Sequence, residues 1–223
     1  MRDLIAQERF EIEVLDRLKS GRFLERMVFG GGTMLRLCHG LDRYSVDLDF
    51  WLLPDRDHAS WFARLRDYLA HYYELSDAAD KYHTLLVELK SPVYPRRLKV
   101  EMRKNIPVAA TERAIAFSPH ATRQVLVRAL PLEAMMVSKI EAFLERKEIR
   151  DVYDLEFMVK KGVEIVATPE KAKRILAVVA ALTRKDYEVK LGSLIEEEQR
   201  AYYREQNFRI LIAKLQRKLS VKS

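Results

Sequence analysis

The chain has 223 residues, of which 48% are hydrophobic and 33% are charged, with seven glycines and seven prolines. This length fits one domain, or one domain with a smaller partner, and the composition can fill a core; large multidomain, disordered and fibrous proteins are therefore excluded. The formal net charge is +7, from 40 basic and 33 acidic residues.

Three features of the sequence predict a cytoplasmic protein that makes no membrane contact. The longest apolar runs, such as Ile175–Leu182, fall well short of the roughly 20 residues that a membrane-spanning helix needs. Met1–Phe10 carries four charged residues where a secretory signal would need an unbroken apolar run. Cys38 is the single cysteine, so no internal disulfide can form, in agreement with a reducing compartment.

The first part of the chain mixes helix and strand patterns. Asp3–Lys19 has the periodicity of an amphipathic helix, and an apolar stretch from Met27 then runs into three glycines. Thr33 is the predicted N-cap of a short helix that ends near Gly40. The pattern then predicts a buried strand over Ser45–Leu53, a helix over Asp57–Glu74, and strands over His83–Leu89, Arg97–Arg103 and Gln124–Leu130.

From Pro131 onward the sequence has helical periodicity and no further strand signal. We therefore predict an α/β half over residues 1–130 and an all-helical half over residues 131–223. The predicted helices of the second half cover residues 131–146, 150–160, 168–182, 185–198 and 201–219.

The positive charge is concentrated in one segment. Lys90–Leu130 holds nine basic and two acidic residues, whereas residues 1–89 hold twelve basic and sixteen acidic ones. A local positive field of this kind favours polyanions such as a triphosphate or RNA. A solvated basic surface without a ligand would have the same composition, so both interpretations stay open.

A glycine turn followed by paired carboxylates points to nucleotide chemistry. Gly31, Gly32 and Thr33 precede Asp47-Leu48-Asp49 by thirteen residues. Alternation along a strand places Asp47 and Asp49 on one face, and carboxylate oxygens are the ligands that Mg²⁺ prefers. The glycines let backbone amides approach a phosphate closely, and the helix that follows adds its positive end. The segment therefore predicts a nucleoside triphosphate bound through Mg²⁺.

Glu101 is the candidate third carboxylate of a two-metal site. It is the only acid in Leu98–Arg103, and alternation puts it on the same face as Lys99 and Arg103. If this strand lies beside Ser45–Leu53, Glu101 can join Asp47 and Asp49. Alternatively, Glu101 pairs with Lys99 or Arg103 in a surface ladder that contributes little.

Two blocks of the sequence resemble the AbiEii-type nucleotidyltransferase toxins, members of the DNA polymerase β-like superfamily found in type IV toxin–antitoxin pairs. The run from Phe29 to Phe50 contains Gly-Gly-Thr, Arg-aromatic-Ser and Asp-apolar-Asp elements in register. A second block, Lys139–Leu155, is similar to a later family motif in which a lysine precedes Arg-Asp-x-x-Asp. Together with the Glu101 strand, these blocks span about residues 29 to 155.

The resemblance implies a nucleotidyltransferase fold of the α/β (α+β) class, in which a mixed sheet carries the triphosphate site and a helical half closes over it. It implies Mg²⁺-dependent transfer of a nucleotide from an NTP to RNA, with tRNA 3′ ends as acceptors, and a cognate antitoxin as partner. The residues it assigns are Gly31, Gly32 and Thr33 to phosphates; Asp47, Asp49 and Glu101 to metal; Arg43 and Ser45 to the loop; and Lys139, Arg150, Asp151 and Asp154 to a second cluster. We count Asp47, Asp49, Glu101, Lys139 and Asp154 as candidate catalytic residues, and Arg43, Ser45, Lys139, Arg150 and Asp151 as candidate NTP-binding residues.

The second block can also be interpreted from its residues alone. On one continuous helix, Lys139, Arg146 and Arg150 would fall within about 40° of one another and form a cationic stripe. Lys139 lies among apolar residues, where an unused charge would be costly to bury, which favours a functional role. The alternative is a solvated charged face in which Arg150 pairs with Asp154. For Asp151 the functional and the structural interpretation are evenly balanced.

Other functions stay open at this point. A catalytically silent NTP-binding module and a nucleotidyltransferase that modifies a small molecule such as an antibiotic share the glycine and Asp-x-Asp elements. The five histidines have no ligand spacing typical of zinc, and no Walker-type phosphate loop occurs.

Overall fold

The computed structural model describes residues 2–54, 57–104 and 110–220. The chain divides into two compact units, Met1–Leu130 and Pro131–Ser223. The first unit contains a mixed sheet with helices and the second consists of helices, so the predicted α/β fold class is confirmed. Each helix of the described residues is too short or too polar to cross a bilayer.

The first unit is organised around a seven-stranded sheet with the order β3-β4-β5-β2-β1-β7-β6. Its strands are β1 (Met27–Gly30), β2 (Asp47–Leu52), β3 (Glu74–Asp80), β4 (Thr84–Lys90), β5 (Leu98–Arg103), β6 (Glu112–Ala116) and β7 (Val125–Ala129). The interior strand β1 is buried throughout, runs antiparallel to β2 and lies parallel to β7. The next pair outward, β2 and β5, is parallel.

Two strands have no counterpart in the sequence prediction, and both lie at the edges of the sheet. Glu74–Asp80 forms β3 and Glu112–Ala116 forms β6. Most of their residues are exposed or half-buried, so neither strand has the alternation of apolar and polar residues that reveals a half-buried strand. These two segments form strands because they pair with β4 and β7, and not because of their own apolar pattern.

The described part of the first unit has three α-helices, α1 (Arg2–Ser20), α2 (Gly31–His39) and α3 (His58–Ala70), and a short 3₁₀ helix over Phe23–Arg26. The Asp57 carboxylate accepts a hydrogen bond from the Ser60 amide and caps α3. The predicted extension of this helix to Glu74 is wrong, because the chain there enters β3. The predicted start of α2 is also wrong: the helix begins at Gly31, and Gly30 occupies the N-cap position instead of Thr33.

The second unit contains α4 (Leu132–Arg146), α5 (Ile149–Lys160), α6 (Pro169–Ala180), α7 (Glu197–Gln206) and α8 (Arg209–Ser220). The first three match predicted helices. The predicted helix over residues 185–198 is instead a π-helical turn over Asp186–Leu191, followed by the start of α7. The predicted helix over 201–219 is interrupted at Asn207, whose positive φ of 54° ends α7 before α8 begins.

Candidate active site

Parallel pairing of β2 with β5 brings the three predicted carboxylates to one face of the sheet. Asp49 lies directly opposite Glu101, and Asp47 lies opposite Lys99. The intervening residues Leu48 and Val100 are fully buried on the other face, while the acidic side chains are half-buried. Because opposed residues of paired strands point to the same side, Asp47, Asp49 and Glu101 form one acidic group.

The glycine turn lies against this acidic group. Gly30 is opposite Asp49 in the antiparallel pair of β1 and β2. Gly31 adopts a φ of +75°, and a Cβ atom at this position would lie 2.2 Å from the Asp49 Oδ2 atom. Only glycine satisfies both the left-handed backbone and this close approach. The Asp49 carboxylate therefore sits beside the first residue of α2, where a helix favours negative charge.

Thr33, Arg43 and Ser45 surround the same turn. The buried Thr33 hydroxyl donates a 2.5 Å hydrogen bond to the Asp47 carbonyl oxygen, which ties α2 to β2. A Cβ atom on Gly32 would lie 2.6 Å from Arg43 Nη2 and 2.9 Å from Ser45 Oγ. Arg43 is itself buried and donates to the Tyr44 carbonyl oxygen at 2.9 Å. All eight site residues predicted in the first unit are thus gathered at one place.

A lysine occupies part of this acidic group. Lys99 Nζ lies 2.7 Å from Glu101 Oε2, which is the pairing that the sequence left open as an alternative. The hydrogen bond to Glu101 raises the pKa of Lys99, burial opposes this, and the charges of Asp47 and Asp49 add to the increase. The ammonium group therefore offsets the mutual repulsion of the carboxylates.

The donor set has the chemistry that suits Mg²⁺, since it consists of carboxylate oxygens. Across residues 2–54, 57–104 and 110–220, however, no three His, Cys, Asp or Glu side chains lie close enough together to hold a metal ion. A metal at this site would compete with the Lys99 ammonium group for the Oε2 atom of Glu101.

Polar side chains of α1 contact the chain just before β2 and β5. They were not among the predicted site residues. Gln7 Nε2 donates to the Val46 and Arg97 carbonyl oxygens at 3.1 and 3.3 Å, immediately before Asp47 and Leu98. Gln7 is fully buried. One glutamine thus holds β2 and β5 in register at the start of the acidic group.

Two glutamates of α1, Glu8 and Glu11, are buried near these contacts. Glu8 of α1 pairs with Arg36 of α2 and accepts a 2.5 Å hydrogen bond from Ser118. Glu11 is also fully buried, and neither of its carboxylate oxygens has a hydrogen-bond partner among the described residues. Burial raises the pKa of Glu11 well above its ordinary value; the Glu8 charge adds to this and Arg36 opposes it. The signal in the sequence is the occurrence of polar residues on the apolar face of α1.

The second predicted cluster forms a buried ion network within the second unit. Lys139 Nζ lies 2.6 Å from Asp154 Oδ2 and 3.3 Å from Asp151 Oδ1. Arg146 donates to both oxygens of Asp151 at 2.6 Å. Both aspartates are fully buried. The network joins the end of α4 to the start of α5.

The predicted cationic stripe of Lys139, Arg146 and Arg150 is wrong. The helix ends at Arg146, and Lys147 takes a left-handed conformation with φ of 55° before α5 starts at Ile149. Lys139 and Arg146 turn toward Asp151, whereas Arg150 is exposed. The alternative Arg150–Asp154 pair is not formed either, since Asp154 pairs with Lys139.

The basic segment Lys90–Leu130 is largely neutralised by carboxylates. Five of its nine cations form ion pairs, namely Lys90 with Glu74, Arg97 with Glu88, Lys99 with Glu101, Lys104 with Asp80 and Arg123 with Asp16. Four of these acids come from the preceding acidic part of the chain. Residues 105–109 of the segment lie outside the described residues. The charge seen in composition therefore does not form a continuous bare basic surface in the part that is described.

Comparison with known proteins identifies related folds. A family model described as nucleotidyl transferase AbiEii toxin of type IV toxin–antitoxin systems matches residues 13–218. The crystal structure of JHP933 from Helicobacter pylori has 19% sequence identity and a TM-score of 0.55, with 96% of this chain and 94% of that chain covered. The structure of a candidate nucleotidyltransferase from H. pylori gives 19% identity and a TM-score of 0.58, with 96% and 97% covered. No curated protein matches the chain.

Proposed function

Because the chain belongs to the AbiEii family of nucleotidyltransferase toxins in type IV toxin–antitoxin systems, we propose that it transfers a nucleotide from an NTP to RNA. The proposed acceptor is the hydroxyl group at the 3′ end of a tRNA. The observation that carries this proposal is the register of Asp49 with Glu101, together with the close approach of Gly31 to the Asp49 carboxylate. The glycine turn and the acidic group thereby share one surface, which supports phosphate binding at this place.

In this proposal Asp47, Asp49 and Glu101 would hold two Mg²⁺ ions, with the Lys99 ammonium group as a competitor for one oxygen of Glu101. Bound Mg²⁺ supplies neutralisation of phosphate charge and lowers the pKa of a hydroxyl group that binds it. The donor chemistry and the shared face of the three side chains support this assignment.

The residues of the chain provide positioning and charge. The first amides of α2, at Gly31 and Gly32, face incoming phosphates with the positive end of the helix. Lys99, which pairs with Glu101 in the structure, would supply positive charge to the triphosphate. The acceptor oxygen forms a bond to the α-phosphorus, the bond from that phosphorus to the pyrophosphate oxygen breaks, and the hydroxyl proton passes to solvent. Catalysis then rests mainly on positioning and electrostatic stabilisation.

A second candidate function, transfer to a small molecule, is favoured by one observation. The ion pairs of the Lys90–Leu130 segment remove much of the positive charge that would attract RNA to it. A small acceptor does not need such a surface. As a member of a toxin–antitoxin family, the chain is also proposed to have a cognate antitoxin.

Incubation with each labelled NTP, in the presence and absence of total cellular RNA, tests the proposal. We expect pyrophosphate release that depends on RNA and on Mg²⁺, with the label incorporated into RNA of tRNA size. Labelling of a small-molecule fraction alone would favour the second candidate. NTP binding without any pyrophosphate release would indicate a catalytically silent module.

A further inference from the structure

An open groove on the second unit has cations along its rim. It lies between α5 and α8 and has a volume of about 380 Å³. Its apolar surface comes from Val159, Ile210 and Ala213, and its cations are Arg209, Lys214 and Arg217. We call this feature the α8 groove.

The charge of the α8 groove is only slightly compensated. From Asn207 to Ser223 the sequence has five Lys and Arg and no acidic residue. Lys214 pairs at 2.8 Å with Glu164, an exposed acid. Within the described part of the chain no carboxylate forms an ion pair with Arg209 or Arg217, and both are exposed. Two guanidinium groups are therefore available to an anionic partner.

The contrast with Lys90–Leu130 makes the α8 groove the stronger candidate for a polyanion surface. In that segment the cations mostly contact carboxylates of the same unit. The α8 groove is lined by three cations, of which only Lys214 pairs with a carboxylate among the described residues. A surface that retains its positive charge attracts phosphates over a longer range than a neutralised one.

We propose that the α8 groove binds the sugar–phosphate backbone of the acceptor RNA; this rests on the proposed function and names the surface that serves it. Arg209 and Arg217 are eight residues apart, about 12 Å along the helix at 1.5 Å per residue, so they can contact separate phosphates of one strand. Guanidinium groups bind phosphates with two parallel hydrogen bonds and also stack on bases. The exposed side chain of Ile210 offers an apolar surface to an unpaired base.

Binding of bulk tRNA at several salt concentrations tests this inference. The Arg209→Ala/Arg217→Ala double variant should bind at least about tenfold more weakly at low salt. Its plot of log affinity against log salt should flatten by roughly 1.4 to 1.8, because each lost phosphate contact removes about 0.7 to 0.9 from the slope. The matched control is Lys173→Ala/Arg174→Ala, which removes two exposed cations of α6 in the same unit. This control should bind tRNA as the wild type does.

Three results would overturn the inference: wild-type affinity and slope in the groove variant, equal losses in both double variants, or equally tight binding of polyglutamate by the wild-type groove. The last would indicate a site for acidic proteins. Thermal unfolding and NTP binding should be unchanged in the groove variant, since neither arginine is buried. The proposed function is judged separately by nucleotide transfer: a wild type that binds tRNA through the groove but labels no RNA would refute the transfer reaction and leave the groove supported.

Discussion

Lys139 of α4 and Asp154 of α5 form a buried ion pair with 2.6 Å between Nζ and Oδ2. The same ammonium group lies 3.3 Å from Asp151, whose carboxylate also accepts two hydrogen bonds from Arg146. A single lysine thus stands between two fully buried carboxylates. The Lys and Arg-Asp-x-x-Asp block therefore has a structural role in joining α4 to α5, whatever its part in binding the NTP, which stays a prediction.

The first prediction is that Lys139→Met destabilises the protein by about 3 to 5 kcal/mol, because removal of one partner leaves a buried charge uncompensated. Addition of Asp154→Asn should recover part of this loss, which a double-mutant cycle in urea would measure. Lys171→Met is the control, since Lys171 pairs with Glu141 at the surface and should cost less than about 1 kcal/mol. Wild-type stability in the Lys139 variant would show that the network contributes nothing.

Gly31→Ala should abolish nucleotide transfer. The new methyl group would lie 2.2 Å from Asp49 Oδ2, so the carboxylate must move, and the left-handed backbone adds strain of about 1 to 2 kcal/mol. Gly40→Ala isolates the strain, because Gly40 has a φ of +77° with no atom within 4 Å of the added Cβ. We expect similar losses of stability from backbone strain in both variants, with transfer lost only in Gly31→Ala. Equal nucleotide transfer by the two variants would show that catalysis does not depend on the close approach of Gly31 to Asp49.

Glu11→Gln should gain stability relative to the wild type as the pH rises. Burial raises the pKa of Glu11 in the folded protein, whereas the unfolded chain ionises it at its ordinary value. The wild type therefore loses stability between that value and the raised pKa, with a slope of up to about 1.4 kcal/mol per pH unit, and glutamine does not titrate. Urea unfolding of both proteins at pH 5 and pH 8 measures the difference. A difference that does not change with pH would mean that Glu11 is ionised in the folded state.

Lys99→Met should lower the Mg²⁺ concentration needed for half-maximal transfer by several-fold. In the proposed mechanism the metal competes with the Lys99 ammonium group for Glu101. Methionine removes this competition and keeps an unbranched apolar side chain that is one atom shorter than lysine. Lys90→Met is the control, since its partner Glu74 lies in the edge strand β3 away from the acidic group. A higher Mg²⁺ requirement in the Lys99 variant would show that the lysine assists metal binding.

The local features of the candidate site could be predicted from the sequence because they depend on short-range patterns. Alternation placed Asp47 and Asp49 on one face, and the glycines marked the turn before α2. The position of Glu101 beside Asp47 and Asp49 could be predicted if two buried strands were assumed to be neighbours. The pairing of β2 with β5 agrees with this assumption.

Long-range polar contacts and chain reversals could not be predicted in the same way. Gln7 contacts Val46 and Arg97, 39 and 90 residues away, and no periodicity records such contacts. The break at Lys147 depends on one left-handed residue that is not glycine, so a continuous helix appeared equally acceptable. The charge of Lys90–Leu130 was misleading because composition does not show which cations pair with distant acids.

Nucleotide transfer by Asp49→Asn, compared with Asp77→Asn, tests the central claim most directly. Asp49 faces Glu101 and the glycine turn, whereas Asp77 is an exposed acid of β3 in the same sheet. With labelled NTP, Mg²⁺ and total RNA, we predict that Asp49→Asn incorporates no label and keeps wild-type stability or gains slightly, since it relieves repulsion between carboxylates. Asp77→Asn should retain full activity. Wild-type incorporation by Asp49→Asn at ordinary Mg²⁺ would contradict the assignment of the acidic group as the catalytic centre.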